Sequence, residues 1–584
     1  MRNILIAGAV VVAGTAGYML SQKEGKLPEV ASGQNAAEVL LESIPADTVV
    51  FSGQLESFPL KNYLRNTTFA QAKMPPELTY ELEKGGDPQG LFFSSLLQSY
   101  FSASQSAEEF QKTFGLNDDF LGAFFMVGAI PVLRYQSDDP EAILKLFDKA
   151  EQDSGFLHQT KQLNGHSYRV YHIALKNEQK FELVLSLQDG WVTVTINGNK
   201  VKTSDLEVAL GLKQPDSSLQ ASGKVQSIQQ QHNFLPNSIA FIDHQELVTA
   251  ITSKDGNSLA KMINGFSGDD QKAQKLSDLH SSECQREMAE IAASWPKTVI
   301  GMRDMQISEE RSYVKASMIV ESNNSPVMKA LASMQGYIPS YLKDVPVFGF
   351  GLGLDANKIN PALASIWTSV SNTEYSCGPL IEMKNNLTQS NPAALAMFTG
   401  MIQGVKGVGM AVSDFSVNLN GPAPDIQNLD ALLTLSADNP EVLFNLSKTF
   451  APHLASIQLP ADGSPVDLSS IIPNPKADQI KPMLALKGKH LVVYTGEKSR
   501  EMADALAAEQ PESNGVMSLS ADYSRVFAPL VPLMEMNATP EVADQFQILK
   551  NLNMKISMDI SFSDKGIEMA TQADMQASKA TSAQ

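Results

Sequence analysis

Apolar residues alternate with polar ones over several stretches of the chain, the two-residue period of a strand with one buried face. Phe181, Leu183, Leu185 and Leu187 alternate with Glu182, Val184, Ser186 and Gln188. The Asp189-Gly190 pair that follows fits a two-residue turn, and the chain returns from Trp191 to Ile196 as the second strand of a hairpin. Near the other end, Met554, Ile556, Met558, Ile560 and Phe562 alternate with Lys555, Ser557, Asp559 and Ser561. Helical spacing replaces this pattern at 90–102, 140–153, 273–295, 326–336, 392–403 and 541–552. Interleaved hairpins and helices predict the α+β class, with curved, mainly antiparallel sheets and helices over one face.

The order of these elements repeats. Aligning Leu133 to Leu146 with Leu433 to Leu446 makes Leu133/Leu433, Asp138/Asp438, Pro140/Pro440, Glu141/Glu441 and Leu146/Leu446 identical. In both copies a strand leads into Asp139 or Asn439 as N-cap, a proline in the first turn, and then a glutamate. Upstream, strands at 49–55 and 347–354 are each followed by a helix led by a proline, Pro59 or Pro361. Downstream come paired hairpins, at 181–196 and 483–495, and each copy closes with a further hairpin, 298–320 or 554–575. The chain is expected to hold two tandem related halves, 37–321 and 322–576.

The N-terminus departs from both patterns. Residues 4–20 carry no charge, and as a helix they would span ~26 Å, within reach of a hydrocarbon core. They predict a transmembrane anchor over 1–20, with the N-terminus in the cytoplasm and the bulk of the chain exported. The rival reading is a cleaved signal peptide whose apolar run stops near Ala13, with Gly14-Thr15-Ala16 as the cleavage site. Residues 21–36 read as a flexible tether and 577–584 as a disordered tail. Composition narrows the function. A net charge of −19 argues against a nucleic-acid partner, whose phosphates call for lysine and arginine. Two cysteines in 584 residues exclude a disulfide-dense scaffold.

Catalytic signatures are absent: there is no G-x-S-x-G, no phosphate-loop motif and no H-E-x-x-H, so neither a catalytic residue nor a cofactor is expected. His280, Glu283, Cys284 and Glu287 share one side of a helix. They read as a structural cysteine flanked by acids rather than a metal site, because Cys284, Met288, Ile291 and Trp295 form one apolar stripe. His166 and His172 share a strand face with no third ligand nearby, so no metal is expected there either. The site-like feature is a bare strand face. Gly349, Gly351 and Gly353 oppose Phe348, Phe350, Leu352 and Leu354, while Gly407, Gly409 and Ala411 oppose Val408, Met410 and Val412. Glycines inside a strand mark a bend or the close approach of something else. If the two strands are neighbours, their common side is a smooth wall for an apolar ligand or for a helix of the same chain. In an exported chain Cys284 and Cys377 are expected to be bridged, clamping the two halves across their junction; the rival reading is two separately buried thiols.

An apolar N-terminal anchor, the opening Ile44-Pro45-Ala46-Asp47-Thr48 into a first strand, and two α+β halves resemble uncharacterised membrane-anchored envelope proteins of Gram-negative bacteria. The resemblance implies an inner-membrane, single-pass protein facing the periplasm, with no enzymatic residues. The expected function is binding of an apolar, lipid-like ligand between sheet and helices; the alternative is a scaffold or chaperone-like protein docking another envelope protein. An enzyme of unrecognised type is the remaining reading.

Overall fold

A computed structural model describes residues 36–66, 74–174, 180–266, 277–389, 399–418, 425–471, 480–535 and 552–576. The anchor, residues 21–35 of the expected tether, the tail, and residues 392–398 and 541–551 of two expected helices lie outside these residues. No helix among the described residues is long and apolar enough to cross a membrane. The chain is α+β and divides into two compact units. The first takes residues up to Met318 together with Ser376–Pro379 and the last two described residues, Met575 and Gln576, and the second takes Ile319–Tyr375 and Leu380–Asp574.

In the first unit the strands are β1 (Val50–Gln54), β2 (Gly122–Val127), β3 (Ile130–Gln136), β4 (Gln159–Leu163) and β5 (His166–Ala174). They are followed by β6 (Lys180–Gln188), β7 (Trp191–Gly198), β8 (Ser238–Asp243), β9 (Lys297–Ile307) and β10 (Arg311–Glu321), which runs on into the second unit. Antiparallel pairing gives the order β9-β8-β1-β2-β3-β7-β6-β5-β4. The β6–β7 turn has Asp189 and Gly190 both at positive φ, as a two-residue hairpin requires.

Helices cover both faces of this sheet, which corrects the expectation of one covered face. Phe92 and Phe93 of helix Pro88–Ala103, and Phe147 of helix Pro140–Ser154, pack on Tyr135, Leu183, Leu185 and Val192. On the other side Leu206 and Leu210 pack on Tyr168, Val170 and Val184. The alternation along β6 fails for the same reason, since Leu183, Val184 and Leu185 are all buried.

The second unit holds β11 (Phe348–Leu352), β12 (Val405–Asn418), β13 (Asp425–Ala437), β14 (Val466–Asp467) and β15 (Met483–Lys487). β16 (His490–Thr495), β17 (Met517–Asp522), β18 (Met554–Ser563) and β19 (Gly566–Gln576) complete it. Its order is β18-β17-β11-β12-β13-β16-β15-β14, again antiparallel throughout. Position for position, β17, β11, β12, β13, β16 and β15 stand where β8, β1, β2, β3, β7 and β6 stand in the first unit.

One helix start and two expected capping bonds differ from expectation. The helix after β11 begins at Ala356, not at Pro361, because Asp355 accepts the Asn357 N–H and caps the chain more than a turn earlier. Pro361 then falls inside the helix, where its ring removes one backbone bond. Asp139 and Asn439 do sit at the N-cap positions of Pro140–Ser154 and Pro440–Ser447, but neither side chain makes a capping bond.

Candidate functional site

β11 and β12 are neighbours, with Gly349 opposite Ala411 and Gly351 opposite Gly409. These positions share one face, and it is filled by the chain itself. Residues 337–345 lie across it, so a Cβ on Gly407 would stand 2.0 Å from the Tyr337 carbonyl oxygen. One on Gly351 would meet Leu342 Cδ1 at 2.4 Å, and one on Gly409 the Tyr341 hydroxyl at 2.5 Å. A Cβ on Gly349 would press on Val345 and Ser520, and one on Gly353 on Ile338 and the Gly515 carbonyl. Ala411 is fully buried with Leu342 and Val345. The ligand wall expected on this face is therefore corrected: the glycines admit a close-packed strap of backbone.

Polar groups fasten the strap. The Tyr337 N–H donates to the Lys406 carbonyl at 2.8 Å, and the Ile338 N–H donates to Asn514 Oδ1 at 2.7 Å. Tyr337 and Ser340 donate their hydroxyls to the Glu509 carboxylate, and Tyr341 donates to Thr434 Oγ1 at 2.9 Å. Burial and the adjacent Glu509 carboxylate raise the Tyr337 hydroxyl well above the ordinary tyrosine value. Behind the strap, His490 is fully buried, with Nδ1 2.8 Å from Ser436 Oγ, Nε2 3.2 Å from the Glu509 carbonyl and its ring 5.3 Å from that of Tyr337.

Desolvation pulls the His490 pKa below the ordinary histidine value. The unfolded chain then takes up the proton first as pH falls. Stability of the second unit is expected to be full above about pH 6.5 and to decline below it. The urea midpoint at pH 7.5 and pH 5.5, in wild type and His490→Gln, checks this: the variant should show the smaller fall.

The opposite face of the same sheet has the reverse character. Across it Phe350 pairs with Leu519 and Met410, Met410 with Leu433, and Leu433 with Val493. On the next rung Leu352 pairs with Val408, Val408 with Leu435, and Leu435 with Leu491. Directly paired residues project to the same side, so these large apolar side chains form one surface. It is incompletely covered: Leu433 is 52% and Val408 38% exposed.

The first unit closes the matching surface. Leu133, at the position aligned with Leu433, is partly buried against the phenylalanine-rich layer of helices Pro88–Ala103 and Pro140–Ser154. In the second unit the helix after β13 has 8 residues where its counterpart has 15. It sends Phe444 into a core with Leu484, Leu491 and Val493, but leaves Val442 and Leu446 exposed, and Phe450 beyond it 68% exposed. Among the described residues, the second unit therefore presents an apolar sheet face that its own helices only partly cover.

The remaining candidates are structural. Cys284 and Cys377 form a disulfide. Both belong to the first compact unit, so the bond ties residues 376–379 into it rather than spanning a junction between halves. One turn along the helix, Glu287 accepts the Ser376 and Cys377 N–H groups at 3.0–3.1 Å, and these bonds lower its pKa. His166 pairs with Ser186, and His172 with Gln159 and Glu182. No cluster of metal-ligating side chains occurs among the described residues.

The apolar face was visible in the sequence only as the large-residue side of the two glycine strands. The signal for its exposure was the shortness of the following helix, which Pro452 and a polar run close early. No family model, no curated protein and no solved structure matches the chain.

Proposed function

We propose that the protein is an exported, membrane-tethered envelope protein without enzymatic activity, and that its second unit binds an apolar, lipid-like ligand. Residues 4–20 would anchor it in the inner membrane, and the tether would leave the two units in the periplasm. The observation that carries the reading is the half-exposed Leu433 surface, at a position whose aligned partner, Leu133, is packed under helices. Exposed apolar surface of this extent is retained where something covers it in use. We further read the two units as copies of one repeat. Their common strand order and the Leu133/Leu433 to Leu146/Leu446 identities support that reading. One copy kept a closed core, and the other opened its sheet face.

Leu433→Asp tests the site. The side chain is already half exposed, so a carboxylate there costs the fold little, yet any apolar occupant would have to desolvate it. Binding of an apolar fluorescent probe is expected to weaken at least ~10-fold, or ~1.4 kcal/mol. Leu133→Asp, placing the same charge beneath the covered layer, is expected to destabilise the first unit by ~3 kcal/mol and leave probe binding intact. Equal probe binding by wild type and Leu433→Asp would overturn the assignment.

Mass spectrometry of solvent-extracted native protein separates ligand from partner, since recovered lipid supports a carrier. The Val442, Leu446 and Phe450 stripe, at helical spacing, favours a second reading in which another envelope protein docks there. A clean extract together with a co-purified protein would support that one.

A further inference from the structure

The strap is pinned at two depths. Leu342 and Val345 lie in the core with Ala411, Leu432 and Val492. Its first residues are held nearer the surface, by the loop 509–514. Asn514, itself exposed, closes a two-way clasp on Ile338: Oδ1 accepts the Ile338 N–H, and Nδ2 donates to the Ile338 carbonyl at 2.9 Å. Glu509 accepts the Tyr337 and Ser340 hydroxyls, and its own carbonyl faces His490 Nε2. One residue therefore joins the strap to the buried imidazole.

The partners fix the proton on that ring. A carbonyl only accepts, so Nε2 carries the hydrogen and Nδ1 accepts from the Ser436 hydroxyl. A second proton, on Nδ1, would turn Ser436 Oγ into an acceptor and strand its hydrogen, and would put a full charge on a side chain shut away from water. The surrounding groups give that charge little help. Lys487, paired directly with His490 across β15, is neutralised by Asp504 at 2.7 Å. Lys489, next in the chain, donates to the Asp438 carbonyl. Tyr337 and Tyr341 are uncharged, and the Glu509 carboxylate is taken by two hydroxyls of the strap. The ring lying on the imidazole is that of Tyr337. Lifting Tyr337 admits water to His490 and frees the Glu509 carboxylate to meet an imidazolium.

The first unit fastens the matching segment differently. Ile44-Pro45 precedes β1 as Ile338-Pro339 precedes β11. The Ala46 N–H donates to the Ser217 carbonyl at 2.9 Å, and the Leu219 N–H to the Ile44 carbonyl at 2.7 Å. Arg134, at the position aligned with Thr434, grips Ser43 and the Ala209 carbonyl. A guanidinium keeps its charge throughout the acid range, so this fastening does not titrate.

We propose that residues 337–340 are an acid-released lid, closed while His490 is neutral and lifted when it is protonated, with Leu342 and Val345 remaining seated. Opening uncovers Gly353, Gly407 and Gly409, the backbone now beneath Ile338, Tyr337 and Pro339. The corresponding segment of the first unit stays shut.

Hydrogen exchange of the full chain, read as protection factors at pH 7.5 and 5.5, tests it. With the proton taken up by the open form alone, one imidazole near its ordinary pKa of ~6.5 raises the open population ~10-fold over that interval. Protection of the Tyr337 and Ile338 amides is expected to fall by that factor, and protection of Ala46 and Leu219 to fall far less. Global unfolding also protonates His490, so urea below the midpoint separates the two events. A local opening exposes little surface; the lid amides should keep their exchange rate as urea is added, while those of β13 speed up. His490→Gln should abolish the pH dependence. Tyr337→Phe keeps the ring but loses the bond to Glu509, so it should raise opening at both pH values and preserve the ratio between them. A wild-type ratio near one, a lid that exchanges in step with β13 at every urea concentration, or a ratio that survives His490→Gln would each overturn the proposal.

Discussion

A Gly407→Val chain is expected to lose the cooperative unfolding of its second unit, or to unfold at a temperature at least ~10 °C below wild type. The Cβ alone would lie 2.0 Å from the Tyr337 carbonyl oxygen and 3.0 Å from that of Leu352. Both neighbours are backbone and cannot swing aside as a side-chain tip would. The strap would have to lift, breaking the Tyr337 N–H bond to Lys406 and uncovering Ala411 and Leu432. Ordinary overpacking costs ~1–3 kcal/mol; loss of a seated segment should exceed the upper figure. For a unit of this size each kcal/mol moves Tm by about 2–4 °C.

Gly351→Ala is the milder neighbour, since its Cβ meets the terminal methyl of Leu342, which can rotate at a cost of ~1 kcal/mol. Gly378→Ala, where a Cβ meets nothing within 4 Å, is the neutral control. Calorimetry of the three variants checks the order. A Gly407→Val protein with wild-type stability would mean that residues 337–345 do not lie on the sheet.

What the sequence disclosed follows the range of the interactions involved. Turn chemistry is local, and Asp189-Gly190 was readable because only a few residues tolerate two positive φ angles in succession. The glycine strands were readable as a place of close approach for the same reason. What approaches them was not readable, because the strap's contacts with β12 join residues some 70 positions apart in the chain. Side coverage is likewise a long-range property. Val408, Met410 and Val412 alternate as any core strand does, and nothing in the alternation says whether a helix lies above.

Arg134 shows the limit from the other direction. It stands in an apolar strand and is buried, with hydrogen bonds to Thr193, Ser43 and the Ala209 carbonyl, and burial pushes its pKa down to about 10. Those partners come from three separate elements. Pattern alone would have placed this guanidinium in solvent.

Removing the disulfide is expected to cost the first unit up to ~4–5 kcal/mol, the loop-closure entropy of a cross-link spanning 93 residues. Cys284 and Cys377 lie with Cα atoms 4.6 Å apart, and both side chains are shut away from solvent. Residues 376–379 reach the first unit from a chain that belongs to the second on either side. Two restraints hold them: the disulfide, and the Glu287 carboxylate accepting the Ser376 and Cys377 N–H groups. The carboxylate acts in the folded state alone, whereas the disulfide also restricts the unfolded chain, so the two should be separable.

The double variant Cys284→Ser/Cys377→Ser avoids leaving a reactive thiol. Its thermal midpoint should fall by ~10 °C or more at the usual ratio of stability to Tm. Glu287→Gln in the oxidised protein should lower the midpoint by much less than the double variant does, since it removes only the hydrogen bonds to the Ser376 and Cys377 N–H groups. Thiol labelling of the denatured, unreduced chain gives the control, since a bridged protein labels only after reduction. Two free thiols before reduction would remove the bridge. Equal midpoints for the oxidised protein and the double variant would mean that Glu287 and the surrounding packing hold the segment without help from the sulfur atoms.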